Sequence, residues 1–150
     1  MSALRGKCMN VSDLRKKAEA GGLAAQGILG VCYLEGIDVD VDYKEAYRFL
    51  SLAAERGAPR PQFFLARMFA EGLGIAKDFA QALRLFESAA NKGEFQAQIQ
   101  LGRIYSRGIG VRADPQTASR WYAEAVAQED KIADCEELTE AKAYLSARDL

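Results

Sequence analysis

The residues best placed for chemistry lie together in one stretch, Glu71 to Gly93, which reads EGLGIAKDFAQALRLFESAANKG. A glycine pair, Gly72 and Gly74, stands shortly before Lys77 and a run of apolar residues at helical spacing. Backbone N–H groups of a glycine-rich loop at the start of a helix can hold phosphate, and a lysine can neutralise its charge. The stretch therefore raises the question of whether this chain binds a nucleotide.

Two acidic patterns could also do chemistry. The run DVDVD, Asp38–Asp42, begins like a calcium loop, but the required glycine falls on Tyr43 and the bidentate glutamate on Phe49. We interpret this run as a corner that leads into a helix cap. A second group of acids near the C-terminus shows no accompanying base or nucleophile, so we interpret it as a solvated face. Its members are Glu129, Asp130, Asp134, Glu136 and Glu137.

The chain contains no histidine. This absence removes His-based acid–base catalysis, His-activated nucleophiles and most zinc sites. The three cysteines, Cys8, Cys32 and Cys135, are far apart and form no CxxC motif, which is typical of thiols in a reducing compartment. We therefore expect no catalysis, no cofactor and no bound metal.

Charge and hydropathy patterning point to no nucleic acid or membrane partner. The net charge is −1 over 150 residues, which gives no basis for attraction to either polyanion or anionic lipid. No apolar run approaches the roughly 18 residues of a membrane span. Residues 1–9 lack the apolar core of a secretory signal, and we expect them to form a disordered leader of a cytoplasmic protein.

The chain matches itself without gaps at an offset of 36 residues. A fixed period of this length is typical of helical-repeat proteins, in which stacked units bury one another's apolar faces. The pattern therefore predicts an all-α solenoid. The recurring positions include Leu29, Leu65 and Leu101; Gly36, Gly72 and Gly108; Asp42, Asp78 and Asp114; Ala46, Ala82 and Ala118; and Phe49, Leu85 and Trp121.

The repeat gives the opening glycines a structural explanation. Each unit contains two helices: the first ends at a glycine such as Gly72, and the second starts at a capping aspartate such as Asp78. The position of Gly74 carries Asp38 in the first copy, which suits a demand for positive φ and would place a carboxylate beside a bound phosphate. These glycines also follow a helix, whereas nucleotide-binding glycines follow a strand. We interpret the loop as a corner and Trp121 as a core residue.

The third copy, AQIQLGRIYSRGIGVRAD through ASRWYAEAV, resembles the Sel-one-like repeats, relatives of tetratricopeptide repeats. The resemblance covers about Asp13 to Gln128 and implies a right-handed α–α superhelix of about three and a half helix-turn-helix units. Some secreted members carry paired cysteines in each unit, and these pairs are missing here. The resemblance thus favours a cytoplasmic member.

We expect one domain over residues 10–150. It comprises a half-repeat at 10–22, repeats at 23–58, 59–94 and 95–130, and a capping helix at 131–148, whose apolar stripe includes Leu138. The half-repeat offers little apolar cover beyond Val11, Leu14 and Ala18, so that end could associate with another molecule, as in a homodimer. A self-associating structural subunit is therefore one functional alternative.

The resemblance further implies that the first helix of each repeat lines a concave groove. Here we expect a protein–protein interaction adaptor that binds a peptide, with an apolar residue near Phe63 and a carboxylate held by Arg103 and Arg107. Alternatively, the groove arginines only solvate this face or pair with acids such as Glu71. An enzyme is the third class, since fold alone does not exclude one. The predicted groove residues are Val31, Leu34, Arg60, Phe63, Arg67, Gln96, Ile99, Arg103 and Arg107.

Overall fold

The computed structural model describes residues 10–149, so the expected leader at residues 1–9 lies outside the described part. Within the described residues there are eight α-helices, a short 3-10 turn at Glu129–Lys131 and no strand. No helix in this range is long and apolar enough to cross a membrane. The helices are α1 Val11–Glu19, α2 Leu23–Glu35, α3 Tyr43–Glu55, α4 Pro59–Glu71, α5 Phe79–Asn91, α6 Phe95–Arg107, α7 Pro115–Val126 and α8 Glu136–Arg148.

The helices pack in chain order. The closest packing is within the pairs α2–α3, α4–α5 and α6–α7, and each pair also contacts the helix before it and the helix after it. In addition, α2 touches α4 and α6 touches α8, so first helices meet one another directly. Stacking of helix pairs on their neighbours is the defining property of a solenoid. The predicted all-α helical-repeat fold is confirmed.

The second helix of each repeat begins at the predicted aspartate. The carboxylate of Asp42 accepts hydrogen bonds from the backbone N–H groups of Lys44 and Glu45, both at 3.1 Å. The N–H of Asp42 itself donates to the carbonyl of Tyr33 at 2.9 Å, which ties the cap to the preceding helix. Asp78 and Asp114 cap α5 and α7 in the same way. The predicted caps are confirmed.

The corner between the two helices contains two residues with positive φ. Gly72 has a φ of 69° and ends α4 in the left-handed region, and Gly74 follows with a φ of 70°. Asp38, which replaces this second glycine in the first repeat, has a φ of 59°. A conformational demand therefore explains the glycine pair, as predicted, since left-handed backbone favours glycine and tolerates aspartate.

Small residues let the two helices of a repeat approach closely. A Cβ on Gly30 would lie 2.6 Å from Cγ of Leu50, and one on Gly102 would lie 2.7 Å from the ring of Tyr122. The repeat pattern alone suggests that Gly30 faces Ala46. In the structure Gly30 faces Leu50, which lies one turn further along α3. The second helix therefore inserts a large side chain into the space that the glycine leaves.

The apolar core runs along the whole stack. One cluster extends from Leu14 in α1 to Trp121 in α7, and Trp121 is 7% exposed, which confirms its predicted place in the core. A second cluster closes the C-terminal end, where Leu138 and Ala141 of α8 pack with residues of α6 and α7. Both ends of the array are thus covered by a helix outside the three full repeats.

A polar ladder links each repeat to the one before it. The buried amide of Gln62 donates to the carbonyl of Ala54 at 3.3 Å, and its oxygen accepts from Ser88 at 3.1 Å and from Lys92 at 3.5 Å. Lys92 also donates to the carbonyl of Gly57 at 2.8 Å. Buried amides are stable only when they are paired in this way. The inter-repeat ladder consists of Gln26 with Arg56, Gln62 with Lys92, and Gln98 with Gln128.

Candidate functional site

The predicted groove residues lie on α2, α4 and α6, the first helices of the three repeats. We call this surface the first-helix face. Its C-terminal part lies against α8, its middle carries an arginine bridge, and its N-terminal part contains a cavity. The predicted residues make different contacts in each of these three parts. The first-helix face is defined by Val31, Leu34, Arg60, Phe63, Arg67, Gln96, Ile99, Arg103 and Arg107.

At the C-terminal part, the chain supplies its own carboxylate to the predicted arginines. Arg103 forms a fork with Glu140 of α8: its Nε lies 3.1 Å from both carboxylate oxygens and its Nη2 lies 2.6 Å from Oε2. The hydroxyl of Tyr122 donates to the same carboxylate at 3.1 Å, and Nη2 of Arg107 lies 3.9 Å away. Glu140 therefore occupies the position predicted for a ligand carboxylate.

The protonation states suit this arrangement. The hydrogen bonds from Arg103 hold the pKa of Glu140 below its usual value, although partial burial opposes them. Burial, and then the neighbouring Glu140 carboxylate, raise the pKa of Tyr122 to about 12. At neutral pH the carboxylate is therefore charged and the phenol keeps the proton that it donates.

Three predicted apolar contacts belong to the core. Ile99 is 0% exposed and packs in the cluster that Leu138 closes. Leu34 is 5% exposed, and Phe63 is 6% exposed with its ring 5.9 Å from that of Phe86. These side chains offer a partner little surface in this structure.

In the middle of the face, Arg67 bridges two repeats. Its Nη1 lies 2.7 Å from Glu35 at the end of α2, and its Nε lies 3.5 Å from Glu71 on its own helix. Arg67 therefore pairs with Glu71, as the alternative interpretation expected, and with Glu35 as well. Gln96, predicted at the groove edge, is half-buried.

The N-terminal part contains an apolar cavity of about 380 Å³. Its walls come from α1, α2, the corner after α2 and the start of α4. Val31 and Arg60 are the two predicted site residues that meet there. The guanidinium of Arg60 lies 5.5 Å from the centre of the Phe64 ring and is exposed. The remaining lining residues are Val11, Leu14, Gly27, Ile28, Cys32, Ile37, Asp38 and Pro61.

Gly27 distinguishes the first repeat, which carries the cavity, from the other two. Gly27 occupies the position that Phe63 holds in the second repeat and Ile99 holds in the third. Those two side chains are buried in their repeats. At Gly27 the start of α4 comes close instead, since a Cβ there would lie 3.0 Å from Cγ of Pro61, and the cavity lies beside this contact.

Sequence reasoning missed most of the ten residues that line this cavity, including Ile28, Ile37 and Asp38. Ile28 is 51% exposed and Ile37 is 42% exposed at its mouth, and Asp38 borders it from the corner after α2. A signal was present, since Gly27 replaces the large apolar residues found at the equivalent positions of the other repeats. Recognising the cavity also required knowing that α1 and α4 approach this point from either side.

Three solved structures are similar to this chain in fold. A crystal structure of a Sel1 repeat protein from Oxalobacter formigenes is 39% identical, with a TM-score of 0.73, over 91% of this chain and 96% of that one. The protective antigen c5321 of uropathogenic Escherichia coli, which displays an SLR fold, is 27% identical, with a TM-score of 0.73, over 92% of this chain and 33% of that one. The cysteine rich protein B of Helicobacter pylori shares the fold at 19% identity, with a TM-score of 0.65, over 81% of this chain and 92% of that one. No curated protein sequence matches the chain.

The stacked helix pairs define an α-solenoid repeat protein, a class whose members generally act as scaffolds for protein–protein interaction. The Sel1 repeat profile matches residues 23–57, 62–94 and 95–130, which is more than half of the chain. The chain belongs to the Sel1 repeat family.

Proposed function

We propose that this protein is a non-catalytic adaptor that binds a partner protein on the N-terminal part of the first-helix face. The observation that carries the proposal is the open apolar cavity with Arg60 at its edge. Apolar recesses with a few polar groups at the rim are the usual form of binding sites on proteins.

The distribution of exposed apolar side chains supports the same location. Ile28 and Ile37, which line the cavity, are 51% and 42% exposed, whereas other exposed apolar residues such as Leu52 and Ile109 do not line it. At the other end of the face, α8 covers Ile99, and Glu140 neutralises Arg103. A partner would therefore find apolar contact at the N-terminal part and a closed surface at the C-terminal part.

The alternative, end-to-end self-association through the half-repeat, receives less support. Leu14 and Ala18, the predicted apolar cover of this end, are 2% and 1% exposed because α1 packs them inward. Ion pairs hold α1 to the first repeat: Arg15 lies 3.0 Å from Glu45, and Glu19 lies 2.8 Å from Arg48. These two charged residues of α1 are thus already paired with the first repeat.

Site-specific photocrosslinking in an extract of the source cells tests the proposal. A photoreactive amino acid is placed at Ile28, Ala70 or Ser106 on the first helices, and at Leu52 or Gln116 on the second helices as matched controls. We expect a partner to crosslink from the first-helix positions, most strongly from Ile28. Crosslinks confined to the second helices would contradict the proposal.

A further inference from the structure

We propose that the cavity of the first repeat receives an aliphatic side chain from an internal segment of a partner protein, and that Arg60 binds the carboxylate of an adjoining aspartate or glutamate. This inference rests on the proposed function and deepens it by naming the chemistry of the partner. The argument uses the shape of the cavity, the charges along the first-helix face and the residues at the cavity mouth.

The cavity is suited to an aliphatic side chain. Its volume of about 380 Å³ lies within the range of about 300–1,000 Å³ that is typical of ligand sites. The accessible apolar walls come mainly from Val11 and Val31, which are half-buried, whereas Leu14 and Pro61 are buried, so a guest side chain would leave water for an apolar surface. The half-exposed Ile28 extends this surface beyond the mouth.

The charges along the face distinguish Arg60 from the other arginines. Arg67, Arg103 and Arg107 each lie within 4.0 Å of a carboxylate of the chain. Among residues 10–149, Arg60 has no such carboxylate, and its exposed guanidinium lies 5.5 Å from the centre of the Phe64 ring. A guanidinium favours a carboxylate because two parallel hydrogen bonds can form. The structure thus leaves one groove arginine open to an acidic partner.

Asp38 limits how many acids the partner can carry at this place. Asp38 borders the same cavity from the corner after α2, whereas Arg60 comes from α4. A second acid next to Asp38 would be repelled, since like charges at close range disfavour binding. One apolar residue with one adjacent acid is therefore the chemistry that this site fits.

The test is a titration of the full ¹⁵N-labelled protein, followed by amide chemical shifts, with small probes at millimolar concentration. The probe acetyl-Leu-Glu-amide carries both groups. Acetyl-Leu-Gln-amide lacks the charge, acetyl-Ser-Glu-amide lacks the apolar side chain, and acetyl-leucine carries a terminal carboxylate instead. We expect shifts at Gly27, Ile28 and Val31 with acetyl-Leu-Glu-amide, about threefold weaker binding of the glutamine probe, and no binding of the serine probe.

Three outcomes would overturn the inference. These are no shifts around the cavity with acetyl-Leu-Glu-amide, equal binding of the glutamine and glutamate probes, or tighter binding of acetyl-leucine, which would assign the site to a chain terminus. Arg60→Gln should remove the preference for glutamate over glutamine, whereas the matched variant Arg112→Gln, at an exposed arginine far from the cavity, should keep it.

A second pair of variants tests the cavity itself. Gly27→Ile introduces the residue that the third repeat carries and should abolish binding of acetyl-Leu-Glu-amide by filling the space. A Cβ at Gly27 would lie 3.0 Å from Cγ of Pro61, so Gly27→Ile could disturb the fold. Ile28→Ser, at a half-exposed position, therefore serves as a second variant, and Leu52→Ser is its control. Retained binding by both Gly27→Ile and Ile28→Ser would overturn the inference.

The two proposals fail in different ways. If photocrosslinks come from the first helices and no probe shifts the cavity amides, the partner binds this face through other chemistry, and only the inference is wrong. If crosslinks come from the second helices alone, the proposed function is wrong, whatever the probes do.

Discussion

Gly74 and Asp38 show what a single residue position can and cannot reveal. The repeat pattern predicted that both need positive φ, and their φ values are 70° and 59°. It did not reveal that a Cβ at Gly74 would lie 2.4 Å from Cβ of Tyr43 in the preceding repeat. Aspartate is thus compatible with the backbone demand of this position, whereas Gly74 faces a packing demand as well.

We predict that Gly74→Ala destabilises the protein by about 2–4 kcal/mol, because left-handed backbone strain adds to the clash with Tyr43. At the equivalent position, Asp38→Ala adds no atom to the Cβ already present and should cost about 1 kcal/mol, because alanine tolerates the left-handed backbone less well than aspartate does. Urea unfolding followed by circular dichroism measures both free energies of unfolding. Equal losses in the two variants would show that the contact with Tyr43 contributes nothing.

Glu140 leads to a prediction about pH. Because Arg103 holds the pKa of Glu140 below its unfolded value of 4.5, the ion pair stabilises the fold above that pH, and this contribution disappears as pH falls through the folded-state pKa. We predict that Glu140→Gln lowers the free energy of unfolding by about 1–2 kcal/mol at pH 7. The difference from the native protein should shrink steadily below pH 4.5.

Urea unfolding at a series of pH values between neutral and about pH 3 checks this prediction. The control is Glu124→Gln, at an exposed position on α7. A gap between native protein and Glu140→Gln that stays constant with pH would contradict the assigned role of the carboxylate.

At the scale of elements, the glutamines of the inter-repeat ladder recur in the sequence, but their recurrence does not show that they are buried. Gln26, Gln62 and Gln98 recur at the repeat offset, yet a glutamine in a sequence is ordinarily exposed. Their burial at 5%, 7% and 3% follows from the docking of each first helix against the preceding second helix. Only that docking places a backbone carbonyl within reach of each amide.

We predict that Gln62→Leu destabilises the protein by about 1–3 kcal/mol, since the carbonyl of Ala54 and the hydroxyl of Ser88 lose a buried partner. Gln116→Leu, at an exposed position on α7, should be nearly neutral. Thermal and urea unfolding of the two variants measure the difference. A neutral Gln62→Leu would mean that water replaces the lost hydrogen bonds.

The last helix explains why the candidate site was only partly predictable. The boundaries of α2 to α7 follow from glycines and aspartates that repeat in register, and these signals are local. Helix α8 begins at Glu136, outside that register, so the sequence did not show where Glu140 would lie. The first-helix face, Val31 and Arg60 were therefore predictable, whereas the closure over Arg103 was not.

At the scale of the molecule, stability is distributed along the stack, because each helix contacts mainly its neighbours. In such arrays local opening at one end need not open the other. The C-terminal cluster depends on α8, whose Leu138 is 2% exposed. The N-terminal cavity lies at the opposite end of the array.

We predict that Leu138→Ala destabilises the protein by about 2–4 kcal/mol, the usual cost of such a core truncation. Hydrogen exchange should accelerate in the amides of α6 and α7 and change little in α2. Leu52→Ala, at a position 39% exposed, is the control and should leave exchange unaltered. Uniform acceleration over the whole chain would show instead that the array unfolds as one unit.

Gly27 has a consequence for how repeat proteins diversify. Copies that share one backbone can differ in a single side chain, and a glycine in one copy lets the next repeat approach closely beside a recess while the sister copies keep the scaffold intact. A new surface feature then arises when a smaller residue stands at a repeated position, with no new loop or helix required.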